Sequence, residues 1–150
     1  MIHRRKCKFT VLLLGLFMTG NLVAQKVDFK VMKVGQHCNH TIAENYIVKS
    51  KSNLIEFDIE QPDSVDFENN FLIAVYRGGC PSGGYSIGIH EILKNNEGLT
   101  VSVVFSDPCE NCSRSLALTQ PYAIYCIKKT DLPISFDTST MVKDCGKPLN

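Results

Sequence analysis

The stretch YSIGIHEILKNNEGLTVSVVF, Tyr85–Phe105, decides the fold. Tyr85, Ile87 and Ile89 alternate with Ser86, Gly88 and His90. After the turn signal Asn95-Asn96-Glu97-Gly98, Leu99, Val101, Val103 and Phe105 alternate with Thr100, Ser102 and Val104. Successive side chains on a strand point to opposite faces, so two alternating runs around an Asn/Gly turn predict an antiparallel hairpin. Matching the apolar faces sets the register, because a slip of one residue turns every side chain to the wrong face. Ile89 then lies opposite Val103, and Ile87 opposite Phe105. Carried past the strand ends, this register brings Cys80 level with Cys112. It predicts that the loops 77–84 and 107–113 flank one end of the sheet, tied by a Cys80–Cys112 bond or, failing that, Cys80–Cys109.

Further strands flank the hairpin. Phe71–Tyr76 (FLIAVY) is apolar throughout and reads as a central strand. Val27–Val34, Tyr46–Val48, Leu116–Leu118, Tyr122–Ile127 and Ile134–Phe136 are shorter strand candidates, with Pro121 interrupting. In Leu54–Glu60, Ile55, Phe57 and Ile59 alternate with Glu56, Asp58 and Glu60, which predicts a strand with one wet face. PDSVDFENN (62–70) predicts a turn or a single helical turn. No stretch carries a long 3.6-residue period, a repeat or a linker. The expected class is mostly β: a single antiparallel β-sandwich or small open barrel, with a Gly-rich loop and disulfides.

The N-terminus sets the expected location. His3, Arg4, Arg5, Lys6 and Lys8 precede the apolar run Phe9–Met18, and Leu22-Val23-Ala24 offers a small residue for cleavage before Gln25. That order predicts a signal peptide over 1–24; the run is too short to span a bilayer, which takes roughly 20 apolar residues. Residues 25–150 then form one β-rich domain, secreted or held in the periplasm or cell envelope, with no stable membrane insertion. Removing Arg4, Arg5, Lys6 and Lys8 from the 16 basic residues leaves 12 against 15 acids, a net charge of −3. A nucleic-acid partner calls for a basic patch or a high pI, and neither is present.

Six cysteines remain after cleavage: Cys38, Cys80, Cys109, Cys112, Cys126 and Cys145. An even count in a small exported chain argues for disulfides. Cys109-Glu110-Asn111-Cys112 is also a C-x-x-C pair, but redox enzymes set such a pair at a helix N-terminus, and Asp107-Pro108 before it and Ser113-Arg114-Ser115 after it predict no helix. His37, Cys38 and His40 fall short of the four ligands of a structural zinc site, so no metal and no cofactor is expected. The Gly-rich loop 77–84 (RGGCPSGG) lacks the lysine of a phosphate loop. Gly79-Cys80-Pro81-Ser82-Gly83 lacks the G-x-S-x-G spacing of a hydrolase nucleophile. No catalytic constellation emerges, and the expectation is a binding protein, not an enzyme.

Three segments carry a resemblance: PDSVDFENNFLIAVYRGGCPSGGYSIGIHEI (62–92), LTVSVVFSDPC (99–109) and LTQPYAIYCIKK (118–129). The Val65-Asp66-Phe67 entry, Gly79–Tyr85, Pro108 and Thr119–Tyr122 resemble the pattern of the PrcB C-terminal domain family over 62–129. Cys80, Cys109 and Cys112 are additions to it. The family takes its name from an accessory subunit of a bacterial surface protease complex, so the resemblance implies a stabilising, non-catalytic role beside an exported protein such as a protease. Cys80–Tyr85 with Gln120–Tyr122 more faintly resembles the loops of chagasin-type cysteine-protease inhibitors, which implies inhibition through 79–85 and 119–122 as an alternative. Thiol–disulfide exchange at Cys109 and Cys112 is a further one. From loop position, Arg77, Ser82, Gly83, Gly84, Gln120 and Tyr122 are the candidate binding residues, with an exposed rim at Arg77, Ser82, Gln120 and Tyr122. Tyr85 and Tyr125 are expected mostly in the core.

Overall fold

A computed structural model describes residues 24–60, 65–110 and 112–144. The expected signal peptide, Asn111 and Cys145 lie outside these residues, apart from Ala24. The elements in chain order are β1 (Gln25–Lys26), β2 (Phe29–Gly35), β3 (Glu44–Val48), α1 (Lys51–Glu56), β4 (Asn70–Tyr76), β5 (Ser86–Lys94), β6 (Leu99–Asp107), β7 (Tyr122–Lys128) and β8 (Ile134–Val142). They form two four-stranded sheets, ordered β1-β5-β6-β8 and β2-β7-β4-β3. The architecture is a sandwich of two separate sheets, not a barrel.

The hairpin is β5–β6. Ile87 pairs with Phe105 and Ile89 with Val103, as the alternation predicts. Beyond Ile89 the register shifts, so that Glu91 pairs with Ser102 and Ile92 with Val101. The extra residue is the exposed His90. It reverses the side-chain parity, as a β-bulge does. Without it Glu91 would point into the sandwich; with it Ile92 does, fully buried.

Alternate residues of β4 serve two cores. Phe71, Ile73 and Val75 pack between the sheets with Ile87, Val101 and Tyr125. Leu72, Ala74 and Tyr76 face the other way, under α1 and its flanks, with Val48, Leu54, Ile59 and Ile124. This double burial explains the unbroken apolar run.

Four expectations need correction. The segment read as a strand from Leu54 to Glu60 is the end of α1 followed by a turn. Ser50 caps the helix by accepting the Asn53 N–H at 3.4 Å, and Asn53 C=O accepts from Phe57 N–H at 3.0 Å. Ile55 is 86% exposed while Leu54 is buried, so the apolar alternation is not used. The alternating run is too short for its period to outweigh the cap and the sheet face beneath it. Leu116–Leu118 is an exposed loop; strand-like pairing there is limited to the Cys80–Thr119 bridge. The last strand, β8, runs to Val142 and lies parallel to β6, the one parallel pair among the described residues.

The fourth correction concerns disulfides. Cys109 bonds Cys112, while Cys38, Cys80 and Cys126 are free thiols. The register holds to Ser86–Ser106, but Gly84 at φ +89° turns the chain aside. Cys80 is therefore carried to Thr119, and Cys112 closes on Cys109 through a local turn with Cα atoms 5.2 Å apart.

Candidate functional site

Three loops converge at one end of the sandwich: 36–43, 77–85 and 108–121. They are tied by backbone bonds. Gly79 N–H donates to Thr41 C=O at 2.9 Å, Cys80 and Thr119 exchange bonds of 2.7 and 3.0 Å, and Gln120 N–H reaches Gln36 C=O at 2.8 Å. Gly83 N–H donates to Ser115 C=O at 3.0 Å, and the Thr119 hydroxyl to Ser82 C=O at 2.9 Å. The amides of Gly79, Cys80 and Gly83 are thus spent within the protein. Gly78 is required at its turn: φ is +84°, and a Cβ there would stand 2.8 Å from the Ile42 carbonyl carbon.

Arg77 leads into this end as a clamp. Its guanidinium donates to Ser86 C=O at 3.0 Å and Ser106 C=O at 3.1 Å, the terminal pair of the hairpin, and pairs with Asp107. It stacks between the Tyr85 and Phe105 rings at 4.9 and 5.0 Å. Only 10% of its side chain is exposed, so Arg77 orders the loop and offers little to a partner. Tyr122 is buried as well, lying on the outer face of the β2-β7-β4-β3 sheet, stacked on Tyr76 and closed over by Gly35. Ser82, Gly83, Gly84 and Gln120 do reach the surface at the loop end. Gly84 C=O is met there by the Lys143 ammonium at 2.7 Å. Tyr125 is core, as expected, and Tyr85 is half-buried. The rim as read from the sequence thus divides: Ser82 and Gln120 are at the surface, Arg77 and Tyr122 are scaffold.

The sequence reading missed the apolar surface at this end. Leu116 is 95% exposed, Leu118 70% and Ile42 62%. Leu116 and Leu118 lie either side of Ala117 in the 113–118 loop, joined to the Gly-rich loop through Ser115 and Thr119. Their signal is an apolar pair three residues before Pro121.

A cleft of about 560 Å³ opens between α1's flank and the outer sheet face, lined by Cys38, Leu54, Ile59, Tyr76, Tyr122 and Ile124 with His37, Asn39, Asp58 and Glu60 around them. Burial pushes the Cys38 thiol up, and it donates to Gln120 C=O at 3.4 Å. A protonated, hydrogen-bonding thiol is a poor nucleophile. His40 stacks on Tyr76 with ring centroids 3.8 Å apart and meets Glu44 at 3.3 Å. No group of three His, Cys, Asp or Glu suited to a metal ion occurs among the described residues.

Residues 71–128 match the family model described as PrcB C-terminal. That segment is similar to the PrcB C-terminal family. It holds β4, β5, β6 and β7, which are the inner strands of both sheets, together with the Gly-rich loop and the 108–121 loop. The four edge strands, β1, β2, β3 and β8, all fall outside the PrcB C-terminal segment. No curated protein and no solved structure matches the chain. No helix among the described residues is long and apolar enough to cross a membrane.

Proposed function

We propose that this chain is an exported accessory protein that binds and stabilises a protease complex through the loop end of its sandwich. The match of 71–128 to the PrcB C-terminal family carries the reading. The loop end supports it physically. An end held by backbone bonds and the Arg77 clamp loses little conformational freedom on binding, and Leu116, Leu118 and Ile42 give it apolar contact area. The signal peptide expected over 1–24 supports a partner outside the cytosol.

The test compares the wild-type protein with a Leu116→Ser/Leu118→Ser variant in affinity capture from the envelope or culture fluid, with partners identified by mass spectrometry. Both leucines are exposed, so the variant is expected to keep its thermal midpoint. An exported protease captured by the wild type and lost by the variant supports the reading; equal capture by both removes the loop end. Adding the protein to that protease separates stabiliser from inhibitor, since a stabiliser prolongs activity and an inhibitor lowers it at once.

The Cys109–Cys112 bond favours a second reading, thiol–disulfide exchange. Among the described residues no α-helix begins at this pair, and a helix N-terminus is the usual means of lowering the attacking thiol's pKa. Catalytic turnover in an insulin-reduction assay would support exchange; inert bonds would leave the pair structural.

A further inference from the structure

The four edge strands differ in how they meet solvent. β1 has two residues. β2 carries Lys30 and Lys33 and a register shift between Val31 and Lys33. β3 has five residues and is partly covered by α1 and its flanks. Short length, lysines, bulges and cover are the devices that keep edges from pairing further. β8 has none of them. It runs nine residues, ISFDTSTMV, in unbroken register with β6 from Ile134 to Val142, without Pro or Gly and with one charge, Asp137. From Asp137 onward every residue is exposed, Val142 to 66%. No strand among the described residues pairs with its far side.

We propose that β8 is a dimerisation edge, at which the β8 strands of two copies pair antiparallel about a two-fold axis through Thr138 and join two four-stranded sheets into one of eight. The strand's own charge pattern selects a second copy as the occupant. Full overlap sets Thr138 opposite Thr138 and Asp137 opposite Ser139, so the lone carboxylate of each copy meets a hydroxyl. Sliding by two residues in one direction would set Asp137 against Asp137, and like charges directly opposite destabilise a pair; sliding the other way would set Asp137 against Met141, which offers the carboxylate no hydrogen bond. Full overlap also lays the exposed Val142 beside Ile134 of the second copy, where Ile134 already packs on the core. Such an interface is self-complementary and closes on itself. An edge contact is small, so the dimer is concentration-dependent.

The experiment is sedimentation equilibrium of the purified protein and three variants over a concentration series. The wild type is expected to show a monomer–dimer equilibrium; a protein wholly monomeric at about 1 mM overturns the proposal. Ser139→Lys faces Asp137 of the second copy and is expected to tighten association about twofold or more. Thr138→Lys faces itself and is expected to weaken association, and mixing it with Thr138→Glu is expected to restore the dimer. These are charge changes at exposed positions, and recovery on mixing separates lost pairing from lost folding. Equal weakening by Ser139→Lys and Thr138→Lys, or no recovery on mixing, overturns the β8 pairing.

Discussion

The Tyr125 hydroxyl accepts a hydrogen bond from the Ile89 N–H at 3.0 Å, joining β7 of one sheet to β5 of the other across the core. The bond lies at the bulge, where the β5–β6 ladder shifts. Tyr125→Phe keeps the ring and its edge contact with Phe29 but leaves a buried N–H without a partner. Such a loss costs about 1–3 kcal/mol. Urea unfolding is expected to show a lower midpoint with an unchanged slope.

Gly78 and Gly79 are neighbours with opposite tolerance. Gly78→Ala sets a Cβ against the 41–43 backbone at a positive φ, whereas a Cβ at Gly79 meets only Thr41 C=O at 3.7 Å, an ordinary contact. Strain of this kind costs roughly 1–3 kcal/mol. Thermal denaturation is expected to show a marked loss for Gly78→Ala and almost none for Gly79→Ala.

The Cys109–Cys112 bond spans a sequence separation of 3. Closing so short a loop removes little chain entropy, about 2 kcal/mol at most. Melting with and without dithiothreitol is expected to show a modest fall in midpoint, with the reduced protein still folded. Unfolding on reduction would mean that this bond holds more than its own loop.

The tyrosines on the outer sheet face predict alkaline instability. The hydrogen bond to Glu44 raises Tyr46 from 10.0 to about 12, and burial raises Tyr76 further. A hydroxyl with a higher pKa folded than unfolded contributes its full stability below the unfolded value and loses it as pH rises through the folded one. Stability is therefore expected to hold below about pH 10 and to fall between pH 10 and 12. Tyr46→Phe is expected to flatten that fall when denaturation midpoints are followed against pH. Glu44, held below the usual carboxylate range by Tyr46 and then His40, has the opposite sign: its contribution is lost on acidification.

Much of the sandwich was legible because its signals are local. The alternation of Ile87, Ile89, Val101, Val103 and Phe105 set a hairpin register that the structure shares. FLIAVY announced a central strand. Leu54–Glu60 was illegible for the same reason in reverse: its apolar residues satisfy either period, and the choice was made by the Ser50 cap and the sheet face that receives Leu54 and Ile59. At the candidate site, Ser82, Gly83, Gly84 and Gln120 were placed at the loop end by the sequence. Arg77 and Tyr122 were not distinguishable from surface residues, because their fates depend on Asp107 and Gly35, which lie far away along the chain.

The β class, the β5–β6 register, the central place of β4 and the resemblance that the 71–128 match supports were all readable from the sequence. Each of these rests on side-chain periodicity or on short motifs, which need only neighbouring residues to be read. The tertiary structure alone decided the Cys109–Cys112 pairing, the parallel seat of β8 and the apolar surface at Leu116 and Leu118. Those depend on where Gly84 turns the chain and on which strand lies beside which. Such choices are made by the packing of the whole, and no local period encodes them.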